Sequence, residues 1–198
     1  MLALAIAGLA AGCAAGAPAQ THTQAQAQGQ APARAQAQDQ GVPAPHVTES
    51  NPPGDIPDDT VFVPYRHPGQ PYEVKVPEGW ARTDLPMGAS FTDKLNSVRI
   101  ETAPASSPLT EASVRARVKG KVLTVGTVSR KGGKAVRVVY RADSSPDPVT
   151  GKVVRDEVER YAFYRAGHEA ILTLSGPVGA DNVDPWRAVS DSFRWTTP

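Results

Sequence analysis

Residues 14–50 hold almost nothing that a folded core can bury, and this confines the fold to the C-terminal two-thirds of the chain. The stretch is dominated by Ala, Gln, Pro and Gly, as in AQAQAQGQAPARAQAQDQ. Ala and Gln favour helix one residue at a time. No apolar face recurs, however, and Pro or Gly interrupts each candidate. Such a segment cannot offset the entropy of ordering it. The Pro-rich run through Pro52, Pro53 and Pro57 continues the same texture, which places the expected domain boundary near Asp59. The chain contains a single cysteine, so no internal disulfide can brace the domain.

That cysteine, Cys13, ends the apolar run MLALAIAGLAAG. The run is too short for a bilayer span, which takes roughly 20 apolar residues, but it suits the apolar core of a signal peptide. Leu9-Ala10-Ala11-Gly12-Cys13 resembles a bacterial lipobox, in which lipid is attached to the cysteine and cleavage makes it the new N-terminus. Ala10 stands where the motif usually has leucine, and no Lys or Arg precedes the run. A basic segment is therefore expected upstream of Met1. The alternative is an ordinary secretory signal followed by a chance cysteine. Residues 1–12 are thus expected to be a lipoprotein signal peptide, and 13–58 a lipidated Cys13 with a disordered linker. Each buried CH₂ of an acyl chain contributes ~0.8 kcal/mol, so two or more chains anchor stably where one is marginal. A flexible coil of about 45 residues spans ~40 Å, enough to hold a domain off a membrane.

From residue 59 to 198 the texture changes. Tyr72-Glu73-Val74-Lys75-Val76 alternates apolar and charged side chains, the period of a half-buried strand, and Pro77-Glu78-Gly79 ends it. Ser90-Phe91-Thr92 and Val98–Thr102 make two further short strands. Ser107-Pro108 or Thr110-Glu111 offers a helix entry, and basic residues up to Lys119 suit a helix C-terminus. Val114, Ala116 and Val118 also alternate with charges, so a strand is the other reading of 110–119. A meander follows, with strands over 122–130, 134–141, 153–165 and 168–175 joined at Gly132-Gly133, a Pro-containing loop and Ala166-Gly167. Asp184-Pro185 resembles an N-cap followed by Pro at the first helical position, with Trp186, Val189 and Phe193 on one helical face. The expectation is an α+β domain: an antiparallel sheet of about six or seven strands packed against helices.

The order YEVKVPEGW, Phe91-Thr92-Asp93, VRIETAP, a short helix, GGKAVRVVYR, YAFYRAGHEAILTLSGP and DPWRAVSDSFRW resembles the PsbP-like fold family, and within it actinobacterial lipoproteins of the LpqN/LpqT type. The likeness spans roughly residues 60–196. It implies an antiparallel sheet between helices and a binding or accessory role, and it implies no catalytic residue.

The residues themselves point the same way. There is no nucleophile elbow, phosphate loop, paired-cysteine metal site or zincin helix. His67 and His168 are the domain's histidines, and a metal site using both is a remote alternative. Ser175 in Leu174-Ser175-Gly176-Pro177 reads as a strand end rather than a nucleophile. Asp143 and Asp147 lack the spacing of a calcium hand. Asp181 and Asp184 read as turn and cap residues. Trp80, Phe91, Tyr161, Phe163, Trp186, Phe193 and Trp195 fall at apolar-periodic positions and read as core.

One charge pattern exceeds the background. The chain's net charge is +1, yet residues 60–198 carry 20 Lys and Arg against 15 Asp and Glu. Nine basic residues and no acid lie between Glu111 and Asp143: Arg115, Arg117, Lys119, Lys121, Arg130, Lys131, Lys134, Arg137 and Arg141. On one face they would attract anionic lipid or an envelope polymer, at about 1 kcal/mol per charge close to a membrane; spread over two faces they are ordinary solvated charges. No nucleic-acid recognition motif accompanies them. The sequence is thus expected to encode a non-enzymatic, extracytoplasmic lipoprotein, anchored to the cell membrane through Cys13 and serving an envelope partner without a cofactor. The alternatives are a carrier of a lipid or small ligand between sheet and helices, and, more remotely, a hydrolase.

Overall fold

The computed structural model describes residues 53–147 and 149–197, all within the unit Val47–Pro198. The leader, Cys13 and most of the linker lie outside the described residues. Ten strands and two helices follow in order: β1 (Phe62–Tyr65), β2 (Tyr72–Pro77), β3 (Ala81–Leu85), β4 (Gly88–Asp93), β5 (Asn96–Pro104), α1 (Glu111–Ala116), β6 (Lys121–Arg130), β7 (Gly133–Asp143), β8 (Arg155–Arg165), β9 (His168–Pro177), α2 (Val183–Ser192) and β10 (Arg194–Trp195). The class is α+β and every strand pair is antiparallel.

Seven strands form the main sheet, in the order β3-β4-β5-β9-β8-β7-β6. The expected meander is there, with tight connections because Lys131-Gly132 and Ala166-Gly167 each turn the chain within two residues. The strand expected from YEVKV forms but belongs elsewhere. β2 pairs with β1 and β10 in a separate three-stranded sheet. Tyr72, Val74 and Val76 are buried and Lys75 is exposed, as the alternation predicts, but Glu73 is buried as well, paired with Arg66 and Arg194, and periodicity said nothing of the strand's neighbours. Pro64 is tolerated because β1 is an edge strand.

Opposed residues of an antiparallel pair point to the same side, so register assigns the two faces of the main sheet. Val98 and Ile100 of β5, Leu172 and Leu174 of β9, and Tyr161 and Phe163 of β8 share one face. That face packs on β2, Trp186 and Val189 of α2, and Phe193. Phe193 stacks on Phe163 with ring centroids 4.1 Å apart, and on Tyr72 at 6.3 Å. Expected on the helical face of α2, Phe193 instead sits just past the helix in extended backbone, which drives its ring into the core.

The opposite face is only partly covered. α1 lies over β6 and β7, with Val114 packed among Val136, Val138, Tyr140, Val158 and Ala162. Residues 110–119 thus begin as a helix, started by a reciprocal cap between Thr110 and Ser113. Among the described residues no helix lies on the rest of that face, over β4, β5 and β9.

Ordered packing begins before Asp59. Ile56 is buried in the core, and its N–H donates to Asn182 Oδ1 at 2.8 Å. The carbonyl of Gly54 accepts from Asn96 Nδ2 at 2.9 Å and Asn182 Nδ2 at 3.0 Å. Gly54 has φ +99°, and a Cβ there would meet Pro177 at 2.5 Å, so only glycine permits this approach. Asn182 also takes the N-cap position expected of Asp184. Its side chain is committed to the Gly54–Ile56 strap and makes no cap bond. Pro185 becomes the third helical residue, still within the first turn, where its missing N–H costs no helical bond.

Candidate functional site

The uncovered half of the main sheet forms the floor of an open groove of about 870 Å³. Its floor is laid in cross-strand rows by the register. Thr92, Ser97, Ser175, Val158 and Tyr140 make one row across β4, β5, β9, β8 and β7. Ser90, Arg99, Thr173 and Arg160 make the next. Asp156 lies beside them on β8. One wall is the loop 144–154 between β7 and β8, and Arg117 and Lys119, just past α1, line the groove as well.

The floor is polar because these positions alternate with the core residues of the same strands. Ser97 and Ser175 bond to one another through their hydroxyls at 2.6 Å. Arg99 is held by Glu101 through two hydrogen bonds of 2.6 and 2.8 Å. Arg160 differs from it. Its guanidinium lies over the Tyr140 ring, 5.6 Å from the centroid, and its Nε is out of solvent with no hydrogen-bond partner. Among the described residues no carboxylate pairs with it.

Asp156 is the site's perturbed acid. It is 8% exposed, and its Oδ1 has no partner. Burial, reinforced by the nearby charge of Asp143, pushes its carboxyl up to about 6. Asp143 itself pairs with Arg155 at 2.8 Å. Asp147 is turned inward on its own loop: Oδ1 accepts from the N–H groups of Val149 and Thr150 and from the Thr150 hydroxyl. Those bonds hold its carboxyl below the usual range, the Thr150 N–H contributing most. The same residue braces the wall through its N–H to the Lys152 carbonyl at 2.9 Å.

The nine basic residues singled out by the sequence do not share a face. Arg117 and Lys119 line the groove. Arg137 and Arg141 point to the opposite side of the sheet, because they stand opposite Tyr161 and Glu157. There Arg137 binds Glu159 through both carboxylate oxygens, Arg141 pairs with Glu157, and Arg130 donates to Ser190 and the Tyr161 hydroxyl. Lys121 is opposite Arg141 on that same side. Arg115, Lys131 and Lys134 are exposed on α1, in the β6–β7 turn and on β7. The strand period of two splits the run, and acids from β8 neutralise two of its members, Arg137 and Arg141.

The hydrolase alternative would rest on Ser175 or His168, and the two lie far apart. His168 opens β9 and Ser175 lies seven residues along it, about 23 Å away at ~3.3 Å per residue. The two rings nitrogens of His67 face the carbonyls of Pro68 and Leu85. Among the described residues no group of three or more His, Cys, Asp and Glu side chains could hold a metal ion, and no helix is long and apolar enough to cross a membrane. The space between sheet and α2, where an apolar ligand was the alternative, is filled by Tyr72, Phe163 and Phe193.

Arg99, Arg160, Ser97, Thr173 and Asp156 were not singled out by the sequence. Their only signal is a hydroxyl or arginine at alternate positions of otherwise apolar strands, which equally describes a solvated face.

No protein-family model matches the chain, and no curated protein does. Solved structures do. The chain is similar to PsbP of the cyanobacterium Synechocystis sp. PCC 6803, at 16% identity over 72% of this chain and 98% of that one, with a TM-score of 0.49. It is similar to LpqN of Mycobacterium tuberculosis, described as involved in cell envelope biogenesis, at 12% identity over 71% and 93% of the two chains, TM-score 0.42. A Bacteroides thetaiotaomicron protein aligns at 10% identity over 68% of this chain, TM-score 0.46, and the chain spans about half of that protein's length (48%). These are likenesses in the coarse arrangement of strands and helices.

Proposed function

We propose that this chain is a non-enzymatic, extracytoplasmic binding module, tethered to the cell membrane by lipid on Cys13, and that it receives an envelope ligand in the open groove of its main sheet. The groove carries the binding half of this reading. One face of the sheet carries the hydrophobic core over β5, β9 and β8, while among the described residues the other is covered by α1 over β6 and β7. The exposed remainder is built from hydroxyls and arginines on rigid strands, a precise surface for recognition. The tether half is supported by the sequence. Cys13 follows an apolar run ending in small residues, and the Ala/Gln/Pro-rich spacer after it gives the domain reach. The order of motifs resembling the PsbP-like family fits an accessory role and brings no catalytic residue with it.

Intact-mass measurement of the protein extracted from membranes tests the tether. The expected mass is that of a chain beginning at Cys13 and carrying acyl groups. A chain with an unmodified Cys13, or one cleaved elsewhere, overturns it.

A further inference from the structure

The groove's charges and hydroxyls define the kind of ligand it fits. Its lining includes six basic side chains, Lys94, Arg99, Arg117, Lys119, Lys152 and Arg160, against three acids. Two of the acids are engaged elsewhere: Asp143 is paired with Arg155 and Asp147 is bound within its own loop, which leaves Asp156 as the one acid of the lining without a partner. Two of the arginines are likewise engaged, Arg99 with Glu101 and Arg117 with Glu169. Arg160 is the exception. A guanidinium carries five donors in a planar fork suited to phosphate or carboxylate, and this one is stacked on Tyr140 with its Nε buried and unpartnered. Desolvation without a partner is costly for such a group, and a bound anion reaching its fork would relieve part of that cost.

The rest of the floor favours a chain rather than a small ion. The hydroxyl-bearing part of the row, Thr92, Ser97 and Ser175, crosses three strands, about 10 Å at ~4.8 Å per strand spacing. Hydroxyls recur along it and in the neighbouring row at Ser90 and Thr173. At its far end the row runs into the buried cluster around Val114, where Val158 and Tyr140 are covered. Donors and acceptors at regular spacing, beside a free guanidinium, match a repeating polyhydroxylated backbone that carries anionic groups.

We propose that the groove binds a phosphate-bearing polyol or sugar chain of the envelope, with Arg160 holding a phosphate and the Ser97–Ser175–Thr173 hydroxyls bonding the chain. This rests on the binding-module reading above and names its ligand class.

The test uses the full chain carrying Cys13→Ala, so that no acyl group contributes. An oligo(glycerol phosphate) of about six units is titrated by calorimetry at low salt, beside a neutral hexasaccharide, inorganic phosphate and phosphatidylglycerol vesicles. The oligomer is expected to bind, and Arg160→Gln to weaken it at least tenfold, since a hydrogen bond to a charged group is worth about 1.5–3 kcal/mol. Lys119→Gln, at the exposed rim, weakens it several-fold, and Lys131→Gln, in the β6–β7 turn, leaves it unchanged. If Arg160→Gln fails to fold, the contrast between Lys119→Gln and Lys131→Gln decides alone. Equal binding of the neutral hexasaccharide overturns the ligand class while leaving the binding module standing. Equal binding of inorganic phosphate removes the chain requirement and so overturns it too. Binding to vesicles without binding to the oligomer assigns the surface to a membrane instead. An unlipidated Cys13 would defeat the tether and leave this result untouched.

Discussion

Replacing Asp156 by Asn is expected to stabilise the protein at neutral pH, although it removes a charged residue from the groove. In the folded chain the carboxyl is 8% exposed and its Oδ1 has no partner. Burial, and then the charge of Asp143, raises it from the usual 3.8 to about 6. At 1.36 kcal/mol per pH unit, that difference is worth roughly 2–3 kcal/mol. The sign follows from proton binding. Between pH 3.8 and 6 the unfolded chain has released the proton and the folded chain still holds it, so stability falls as pH rises through that window. Below 3.8 both states are protonated and the full contribution is present; above 6 it is gone. Asn keeps the shape without the charge. Urea unfolding followed by tryptophan fluorescence at pH 3.5 and 7.5 should therefore give nearly equal stabilities for the two proteins at the lower pH. At the higher pH the variant should lead by about 2–3 kcal/mol. A variant less stable than the parent at pH 7.5 would show that the carboxylate makes a favourable contact in the fold. A gap that does not change with pH would show that burial does not control this group.

Two further perturbations probe how the face opposite the groove is held. Phe193→Ala removes the ring stacked on Phe163 and Tyr72 and should cost about 3–5 kcal/mol in urea unfolding; a loss below 1 kcal/mol would mean that the ring is not packed as described. Asn182→Ala removes the acceptor for Ile56 N–H and one of the two donors to the Gly54 carbonyl, at a cost of about 1–3 kcal/mol. Hydrogen exchange should show the Ile56 amide losing protection before the β8 and β9 amides do, and unchanged protection there would refute the strap.

How much of this could be read from the sequence depended on whether the information was local. The meander from β6 to β9 was legible because alternation and two-residue turns are local signals; α1 was legible only as one of two readings, because Thr110 signals a helix entry while Val114, Ala116 and Val118 alternate like a strand. β3 was missed because four of its five residues are exposed and show no alternation. β10 is two residues long and exists only by pairing with β2. Periodicity found β2 but could not say that it would leave the main sheet. The strap at Gly54–Ile56 was hidden in a Pro- and Gly-rich run whose one apolar residue, Ile56, gives no pattern. The groove was illegible for a related reason: it depends on β5 lying beside β9, a pairing between residues more than 60 positions apart. Without that order, Ser97, Arg99, Thr173 and Ser175 are four outward-facing polar residues on two strands. The basic run was visible, but strand period and the acids of β8 divided it.

The account turns on the open half of the main sheet being the working surface. Amide chemical-shift mapping of the ¹⁵N-labelled chain carrying Cys13→Ala, titrated with solubilised envelope polymer, tests this most directly. Perturbations gathered on Ser97, Arg99, Arg160, Thr173 and Ser175, with the amides of α2 and β2 unmoved, are the predicted result. Perturbations gathered on α2 and the three-stranded sheet, with the groove silent, would contradict it.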